Sequence, residues 1–467
     1  MYHAQAGISG DNRLGLSIII LAAGQGTRMR SALPKVLQTL AGKPLLGHVL
    51  SGSKDLQATD ICIVYGQGGE AVRKAFQGES LRWVLQAEQL GTGHAMQQAM
   101  PGTPEENRVL VLFGDVPLLK PSTLRRLLDE TPNDDMAVLT VDMDDPTGYG
   151  RIVRQGGNVS SIVEEKDADA DTRAIGEINT GVMVCPARQL KGWLERLSND
   201  NAQGEYYLTD VIAMAVNDNV TGHGIKADSA VEVMGINDKK QLAEAERALQ
   251  ARLVDELMAQ GVGFADPARV DIRGTLKCGK DVFIDVNAVF EGEVTLGDGT
   301  TIESNNLIRN SRLGADTVIH SNCHIEDSVM GNNCELGPFA RLRPGVELAN
   351  NVKVGNFVEI KKSTVADGSK VNHLTYIGDT EIGTGVNVGA GTITCNYDGA
   401  NKHKTVIGDG AFIGSGVELV APVTVGKGAT IGAGSTITKS TPDDKLTLER
   451  AKQFTVPGWQ KPVKKGK

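Results

Sequence analysis

Two glycines and two cations follow the first apolar run of the chain, in an arrangement that suits a phosphate group. The run Ile18–Ile20 leads into the stretch LAAGQGTRM, which holds Gly24, Gly26 and Arg28, and Lys35 follows. Glycines let the backbone approach a ligand closely, and the two cations can neutralise its charge. The dinucleotide fingerprint GxGxxG is incomplete, and the GxxxxGK[ST] phosphate loop does not occur. The residues therefore fit either a nucleotide site or a plain strand-to-helix turn.

A carboxylate and an imidazole mark two further candidate sites. Asp115 directly follows the apolar run Val109–Phe113, where it can hold a cation or cap a helix before Val116-Pro117. His373 lies in the stretch NHLTY, and an imidazole that titrates near neutral pH suits a general base. A lone histidine is also a common packed or surface residue, so the sequence leaves both readings open.

The first half alternates apolar runs with amphipathic segments. The runs predict short buried strands over Ser17–Leu21, Ile61–Tyr65, Val109–Phe113 and Met136–Val141, and the segments between them predict helices such as Ser122–Asp129 and Leu190–Leu197. This alternation favours an open α/β sheet with crossover helices, whose ligand crevice lies at the carboxyl ends of the strands. Leu21–Arg28 and Phe113–Asp115 both fall at such ends.

The second half has an aliphatic residue at almost every sixth position. The final uninterrupted series is Ile407, Ile413, Leu419, Val425, Ile431 and Ile437, and Gly, Asp or Asn often follows the aliphatic residue. A six-residue period fits neither a helix nor an open sheet, but it is typical of a parallel β-helix. The register breaks between Val388 and Ile407, which predicts an inserted loop with a binding role.

Length and composition set the outer limits. A chain of 467 residues needs more than one core, and a net charge of −9 argues against nucleic-acid binding. We predict an unstructured extension over 1–16, the α/β domain over 17–237, a linker helix over 238–260, and the repeat domain with a basic tail over 261–467. The six scattered cysteines, with neither zinc-site spacing nor a signal segment, favour reduced thiols in the cytoplasm.

Motifs in both halves carry a resemblance to known families. LAAGQGTRM, LPKVL, QAEQLGTGHA, FGDVPLL, DPTGYGRI, IVEEKDA and EINTGV resemble the sugar-nucleotide pyrophosphorylases, and GPFARLRPG, VGNFVEIKKS, HLTYIGD, GAGTITCNYDG and LVAPVTVGKGATIGAGS resemble the hexapeptide-repeat acyltransferases. In this order they resemble the bacterial enzymes that join N-acetylglucosamine-1-phosphate uridylyltransferase to glucosamine-1-phosphate N-acetyltransferase. The resemblance implies a Rossmann-like α/β nucleotidyltransferase domain followed by a left-handed parallel β-helix, and a homotrimer.

For the first half the resemblance implies uridylyl transfer from UTP to N-acetylglucosamine 1-phosphate, assisted by Mg²⁺. It places the metal on Asp115 and Asn237, although from the sequence alone Asn237 fits a cap of the next helix. It assigns Arg28 and Lys35 to the triphosphate and the developing charge. The implied UTP and UDP-sugar contacts are Leu21, Ala22, Ala23, Gly24, Lys35, Gln86, Gly91, Thr92, Phe113, Gly114, Asp115, Gly150, Glu164, Asn179 and Asn237.

For the second half it implies acetyl transfer from acetyl-CoA to glucosamine 1-phosphate, with His373 as the proton acceptor. We further hypothesise that Glu359 orients the ring or stabilises its positive charge, and that Cys395 is structural. The implied sugar-phosphate contacts are Arg343, Lys361, Tyr376 and Asn387, and the acetyl-CoA contacts are Ala390, Asn396, Tyr397, Ser415, Ala433 and Arg450. Peptidoglycan and lipopolysaccharide synthesis are the expected destinations of the product.

Two alternatives remain at this stage. The chain can be a single-activity pyrophosphorylase whose repeats serve only as an oligomerisation scaffold, or a non-catalytic binding module. The binding module fits poorly with two full sets of polar residues. The resemblance favours small-molecule substrates, with neither nucleic acid nor membrane as a partner.

Overall fold

The chain divides into two compact units between Leu249 and Gln250. The computed structural model describes residues 14–66 and 68–464. Most of the extension predicted over 1–16, and the last three residues of the basic tail, lie outside the described residues. The domain limits drawn from the sequence stay predictions.

The first unit is built on one mixed sheet. Its strands are β1 Leu16–Ala22, β2 Asp60–Gly66, β3 Arg82–Gln86, β4 Arg108–Phe113, β5 Met136–Asp142, β6 Arg151–Gln155, β7 Asn158–Val163, β8 Glu177–Pro186 and β9 Gly222–Lys226. The order is β9-β5-β8-β4-β1-β2-β3, and the hairpin β6–β7 joins the sheet through β8. The strands predicted from the apolar runs are confirmed as β1, β2, β4 and β5.

Strand β1 shows why this sheet forms at the centre of the unit. Ile18 and Ile20 are fully buried in one hydrophobic cluster, and Ile19 is fully buried in another cluster. Alternate side chains of a strand point to opposite faces, so the continuous apolar run means that both faces are covered. Strands β1, β2, β3 and β4 pair in parallel. Strand β8 runs antiparallel to β4 and β5, which the alternation of strands and helices did not predict.

Helices cover the sheet and connect its strands. They are α1 Leu45–Lys54, α2 Glu70–Ala75, α3 Thr92–Ala99, α4 Pro121–Asp129, α5 Ala170–Arg173, α6 Ala187–Glu195, α7 Asp210–Asn217 and α8 Lys239–Ala259. Short 3₁₀ turns lie at Thr27–Met29, Lys35–Leu37, Met100–Gly102, Ala230–Val233 and Pro267–Arg269, and a small hairpin pairs Thr39–Leu40 with Lys43–Pro44. The predicted helices Ser122–Asp129 and Leu190–Leu197 correspond to α4 and α6.

The second unit is a parallel β-helix, which confirms the fold predicted from the six-residue period. One sheet contains Gly263–Phe264, Phe283–Ile284, Thr301–Ile302, Val318–Ile319, Glu335–Leu336, Lys353–Asn356, Lys370–His373, Asn387–Val388, Phe412–Ile413, Thr430–Ile431 and Leu446–Thr447. The other contains Val270–Cys278, Ala288–Leu296, Leu307–Arg309, Arg312–Leu313, His324–Glu326, Ser328–Met330, Arg341–Leu342, Val346–Leu348, Glu359–Lys361, Thr364–Val365, Tyr376–Gly378, Thr380–Ile382, Ile393–Cys395, Thr405–Ile407, Glu418–Val420, Val423–Val425 and Thr436–Ile437. The strand pairings do not fix the hand of the coil, so its left hand stays a prediction.

Coil-to-coil register explains the period and its interruptions. Ile302 pairs with Ile319, and Leu336 pairs with Val354, so one coil takes seventeen or eighteen residues. These aliphatic side chains are 0–1% exposed and form the single core of the unit. Between Thr380 and its partner Thr405 the offset is larger, which accommodates the predicted inserted loop.

Candidate active sites

A cavity of about 310 Å³ lies where strands β1, β3 and β4 end in the first unit. The residues that line it are Leu21, Ala22, Ala23, Gly24, Lys35, Val36, Gln86, Gln89, Gly91, Thr92, Ala95, Phe113, Asp115 and Glu205. The carboxyl edge of a parallel sheet is the usual ligand crevice of an open α/β fold. Most of the residues assigned to the nucleotide by the resemblance therefore surround one cavity.

A lysine links the two candidate metal ligands at this edge. The Lys35 ammonium donates to the Asp115 carboxylate and, at 3.0 Å, to Oδ1 of Asn237. Lys35 and Asp115 have side chains only 11% and 18% exposed. Two oxygen atoms separated by 122 positions in sequence thus converge on one cationic group. Such oxygens are also ligands that Mg²⁺ accepts, usually one or two from the protein.

The backbone around these two residues excludes the capping roles that the sequence left open. After Asp115 the next helix, α4, starts only at Pro121, and its N-cap is Lys120. At the start of α8 the cap is Asp238, whose Oδ1 accepts from the backbone N–H of Gln241 at 2.8 Å. Because neither Asp115 nor Asn237 caps a helix, both side chains are available to the cation between them.

Two glycines bring the walls of the cavity together. Gly26 has φ +62°, and a Cβ built on it would lie 2.6 Å from Cβ of Lys35. Gly91 has φ +107°, and a Cβ there would lie 2.6 Å from the carbonyl oxygen of Tyr206. Nε2 of the buried Gln86 donates to the Gly91 carbonyl at 3.0 Å. Only glycine combines this backbone conformation with such close packing.

The residues assigned to the sugar form a second cluster. The Asn179 backbone N–H donates to the Gly150 carbonyl at 2.8 Å, and a Cβ on Gly150 would lie 3.5 Å from the Glu164 carboxyl carbon. Burial raises the pKa of Glu164, although the Thr209 hydroxyl, which donates to Oε1 at 3.0 Å, opposes this shift. A buried carboxylate with an adjacent amide can accept and donate hydrogen bonds to sugar hydroxyls.

In the β-helix, His373 has a neutral polar partner. Its Nδ1 lies 2.9 Å from Oδ1 of Asn356, which is its register partner on the preceding coil. Glu359, which we expected to orient the ring, instead accepts from Nη1 of Arg343 at 2.9 Å and lies 3.9 Å from Nη1 of Arg341. The orienting role expected for Glu359 is wrong, because the carboxylate lies on the other sheet opposite two arginines and Asn356 contacts the ring instead; its effect on the charge of the ring stays a prediction.

Residues assigned to acetyl-CoA form one column with His373. Backbone bonds connect the corners of successive coils: Gly391 N–H donates to His373 O at 3.2 Å, Gly416 N–H to Ala390 O at 2.8 Å, and Gly434 N–H to Ser415 O at 2.9 Å. Nη1 of Arg450 then donates to the carbonyl of Ala433 at 3.2 Å. Small side chains thus extend from the imidazole along one corner, which leaves room for an extended ligand.

Cations gather at the next corner of the coil, after the strand Glu359–Lys361. Contact with the Lys402 ammonium lowers the pKa of Lys361, and Arg343 and Lys362 add to the effect. Tyr376 lies one coil further, as the register partner of Glu359. Like charges in contact are unfavourable unless an anion joins them, so the group has the composition of a phosphate site.

The inserted loop contributes polar groups at the same end. Nδ2 of Asn396 donates to Oδ2 of Asp379 at 2.5 Å, and the exposed Tyr397 hydroxyl donates to the Gly399 carbonyl at 2.5 Å. Burial raises the pKa of the Cys395 thiol, which disfavours the thiolate and agrees with a structural role. Asn387 lies on the first sheet of the β-helix, away from the strands that carry Arg343 and Lys361.

Comparisons with known proteins cover both halves. Residues 18–208 match the MobA-like NTP transferase domain family, and residues 327–362 and 404–439 match the bacterial transferase hexapeptide repeats. The chain is 55% identical to "Bifunctional protein GlmU" of Aromatoleum aromaticum over 96% of this chain and 99% of that protein. It is 54% identical to the proteins of the same name from Janthinobacterium sp. and Herminiimonas arsenicoxydans, each over 96% of this chain and 99% of the relative.

The chain belongs to the bifunctional GlmU family. It is accordingly a bifunctional enzyme, with a nucleotidyltransferase domain and a hexapeptide-repeat transferase domain. Membership agrees with the fold and with the two separate groups of polar residues.

Most of the predicted site residues of this member of the GlmU family lie together at the two candidate sites, but some of them lie outside the cavity. Gly114 packs against Ala22, and its N–H donates to the Leu21 carbonyl at 2.9 Å. Arg28 is exposed in the turn Thr27–Met29 and is not among the residues that line the cavity. The assignment of Arg28 to the triphosphate therefore stays a prediction.

Several residues that lie at the two candidate sites were not predicted from the sequence. Gln89 and Glu205 line the cavity, Lys402 touches Lys361, and Asn356 contacts His373. Gln89 belongs to a motif that was recognised, so its position in QAEQLGTGHA could have drawn notice. For Asn356, only the seventeen-residue offset to His373 carries a signal.

Two features are absent from residues 14–66 and 68–464. In this part of the chain there is no group of three or more His, Cys, Asp or Glu residues that could hold a metal. The same residues include no helix with the length and hydrophobicity needed to cross a membrane.

Proposed function

We propose that this enzyme makes UDP-N-acetylglucosamine in two reactions. The repeat domain transfers an acetyl group from acetyl-CoA to glucosamine 1-phosphate. The nucleotidyltransferase domain then joins N-acetylglucosamine 1-phosphate to the uridylyl group of UTP and releases pyrophosphate. The observation that supports the proposal is that each half brings together its own polar groups: a cavity lined by a lysine and an aspartate in one, and an imidazole and a cluster of cations in the other.

For uridylyl transfer, charge neutralisation is the main task, because a phosphate oxygen attacks an α-phosphorus that is already surrounded by negative oxygens. Lys35 lies in the cavity and supplies one positive charge there. Arg28 supplies a second from the adjacent loop when the nucleotide is bound. Gln86, Gly91 and Thr92 face the uracil, while Gly150, Glu164 and Asn179 hold the sugar.

Mg²⁺ fits the oxygen pair of Asp115 and Asn237. The Lys35 ammonium already joins these two oxygens, so the position favours a cation. The lack of a third acidic or histidine ligand among the described residues suits an ion that takes its remaining ligands from phosphates and water. When bound, the metal would neutralise charge on the triphosphate.

For acetyl transfer, His373 accepts the proton that the substrate ammonium must lose. The free amine then attacks the thioester carbonyl, the new C–N bond forms, and the C–S bond breaks. The nitrogen loses its second proton as the amide forms, and the departing CoA thiolate takes up that proton, so CoA leaves as the thiol and the reaction releases one proton overall. Arg343 and Lys361 hold the sugar phosphate with the Tyr376 hydroxyl, and Asn387, which the resemblance assigns to the same substrate, lies on the other sheet of the β-helix. Ala390, Asn396, Tyr397, Ser415, Ala433 and Arg450 contact acetyl-CoA.

A trimer is supported by an apolar ridge on the corner next to His373. Phe339, Phe357 and Leu374 are 52%, 55% and 63% exposed, and the two phenyl rings stack at 5.4 Å. All three have positive φ, of 55°, 56° and 48°. A left-handed backbone conformation costs about 1–2 kcal/mol for such residues. A contiguous patch of exposed apolar side chains is typical of a protein–protein contact surface. Contact with second and third copies of the chain would bury the ridge.

Sedimentation velocity tests this assembly. We expect a trimer for the wild-type chain and dissociation at micromolar concentration for Phe357→Ser. A variant that remains trimeric would place the interface elsewhere. We also propose that the enzyme is cytoplasmic, where UTP and acetyl-CoA are available.

One coupled assay decides between two activities and a scaffold. The full chain is given glucosamine 1-phosphate, acetyl-CoA, UTP and Mg²⁺, and both CoA thiol and pyrophosphate are measured. We expect thiol first, and pyrophosphate only when acetyl-CoA is present. Pyrophosphate from N-acetylglucosamine 1-phosphate, without any thiol from the trimeric enzyme, would favour the scaffold alternative.

A further inference from the structure

Asn356 is the only residue for which the structure shows a hydrogen bond to the His373 ring, within the described part of the chain. Its Oδ1 lies 2.9 Å from Nδ1 of the ring. An amide oxygen can only accept a hydrogen bond, so Nδ1 must carry the proton that is shared with it. In a neutral imidazole this leaves the lone pair on Nε2.

The β-helix fixes this pair of side chains in position. Asn356 and His373 are register partners on successive coils, and each precedes a corner residue with positive φ. The Leu374 N–H donates to the Asn356 carbonyl at 3.1 Å, which binds the two corners together. The amide and the ring are therefore held by the same backbone geometry, and the bond between them follows from the coil spacing.

Charged groups nearby are engaged elsewhere. Glu359 pairs with Arg343 and Arg341 on the other sheet. The next residue in the column after His373 is Ala390, which offers the ring no polar side-chain atom. Selection of the tautomer thus depends on a neutral amide and not on a carboxylate.

We propose that Asn356 is a positioning residue for acetyl transfer, which holds His373 in the tautomer whose Nε2 accepts the substrate's proton. This inference rests on the proposed acetyltransferase function. A neutral partner orients the ring without placing a charge beside it, and it leaves Nε2 free to take up the substrate's proton. For metal-ligating histidines, loss of the partner that orients the ring typically costs about 10- to 100-fold, and we expect a loss of the same order here.

Two substitutions separate positioning from folding. Asn356→Leu removes the acceptor, and we expect kcat for acetyl transfer to fall about 10- to 100-fold at every pH, with KM for both substrates within about twofold. Asn356→Asp keeps an acceptor but adds a negative charge that favours the imidazolium. We expect it to recover much of the lost kcat and to move the acid limb of the pH–rate profile to higher pH.

A matched control lies in the same column of the β-helix. The Ser304 and Ser321 hydroxyl oxygens are 3.2 Å apart across two earlier coils, far along the chain from the ring. Ser304→Ala removes this coil-to-coil bond and should leave acetyl transfer unchanged. Uridylyl transfer by the same preparations reports whether the rest of the chain is intact.

The outcomes divide cleanly. Unchanged kcat in Asn356→Leu, or an unmoved acid limb in Asn356→Asp, would overturn the positioning role while the wild-type acetyl transfer stands. A wild-type chain without acetyl transfer, or a His373→Ala variant with full activity, would instead overturn the proposed function. An equal loss of acetyl and uridylyl transfer in Asn356→Leu would overturn the positioning role in favour of a structural one.

Discussion

The two halves of this enzyme assemble polar residues in different ways. In the nucleotidyltransferase half, Lys35 meets Asn237 across 202 positions of sequence, because several strands end at one edge of a sheet. In the repeat half, the pairs Asn356–His373 and Asp379–Asn396 are each separated by seventeen positions, which is one coil. The first arrangement depends on long-range topology, and the second depends on a local period repeated along an axis.

Because the two halves assemble their sites separately, two reactions can be carried out by one chain. Each site takes its groups from its own unit, and each unit has its own hydrophobic core. A substitution in one half should therefore leave the other reaction intact. The predictions below test that independence, from the largest expected effect to the smallest.

Asp115→Ala should abolish uridylyl transfer, with a loss of more than about 10³-fold, because both the metal ligand and the partner of Lys35 disappear. Acetyl transfer should remain within about twofold of wild type. Pyrophosphate release and CoA thiol release from the same preparation measure the two effects. Substantial residual uridylyl transfer would remove Asp115 from the metal site.

His373→Ala is the reciprocal change in the repeat half. We expect acetyl transfer to fall about 10²- to 10⁴-fold, since the ammonium has no proton acceptor, while uridylyl transfer persists. Thiol release with glucosamine 1-phosphate gives the first value. Full acetyl transfer in this variant would contradict the assignment of the base.

Matched core substitutions compare the stability of the two units. Ile360→Ala opens a cavity in the β-helix between Leu342 and Ile377, and Ile19→Ala opens one in the mixed sheet. Each side chain is fully buried, so each change should cost about 2–5 kcal/mol of unfolding free energy. Both activities are measured after heating to a series of temperatures, and the activity that is lost first identifies the unit that unfolds first. Loss of both activities at one temperature in both variants would mean that the units unfold together.

The smallest predicted effect is the pH dependence of stability at Glu164. Burial raises the pKa of this carboxyl above its unfolded value, so burying the charge costs free energy at pH above the folded pKa. Below the ordinary value of a glutamate the carboxyl is protonated in both states, and the cost vanishes. Glu164→Gln should therefore match wild type near pH 4 and melt about 1–2 °C higher at pH 7.

An exposed residue serves as the control for this titration. Glu106→Gln makes the same substitution at an exposed position. The melting temperature of this variant should equal that of wild type at pH 4 and at pH 7. A Glu164→Gln variant less stable than wild type at pH 7 would show that the carboxylate is satisfied in the native state.

The sequence by itself determined the features that short periods encode. The apolar run before Gly24 specified a buried strand, and the six-residue repeat specified a β-helix with an insertion after Val388, because side-chain periodicity is a local property. Resemblance then supplied the grouping of Lys35, Asp115 and Asn237, which no spacing could give.

Only the tertiary structure decided which atoms face each other. In the sequence, Glu359 and Asn356 both lie near a coil corner. In the structure they lie on different sheets, so Glu359 pairs with arginines and Asn356 contacts the imidazole of His373. Likewise, the antiparallel strand β8 and the Lys35 bridge depend on how distant segments pair. Such choices are settled by the packing of whole sheets and coils, since the energy of a contact depends on partners that local sequence does not specify.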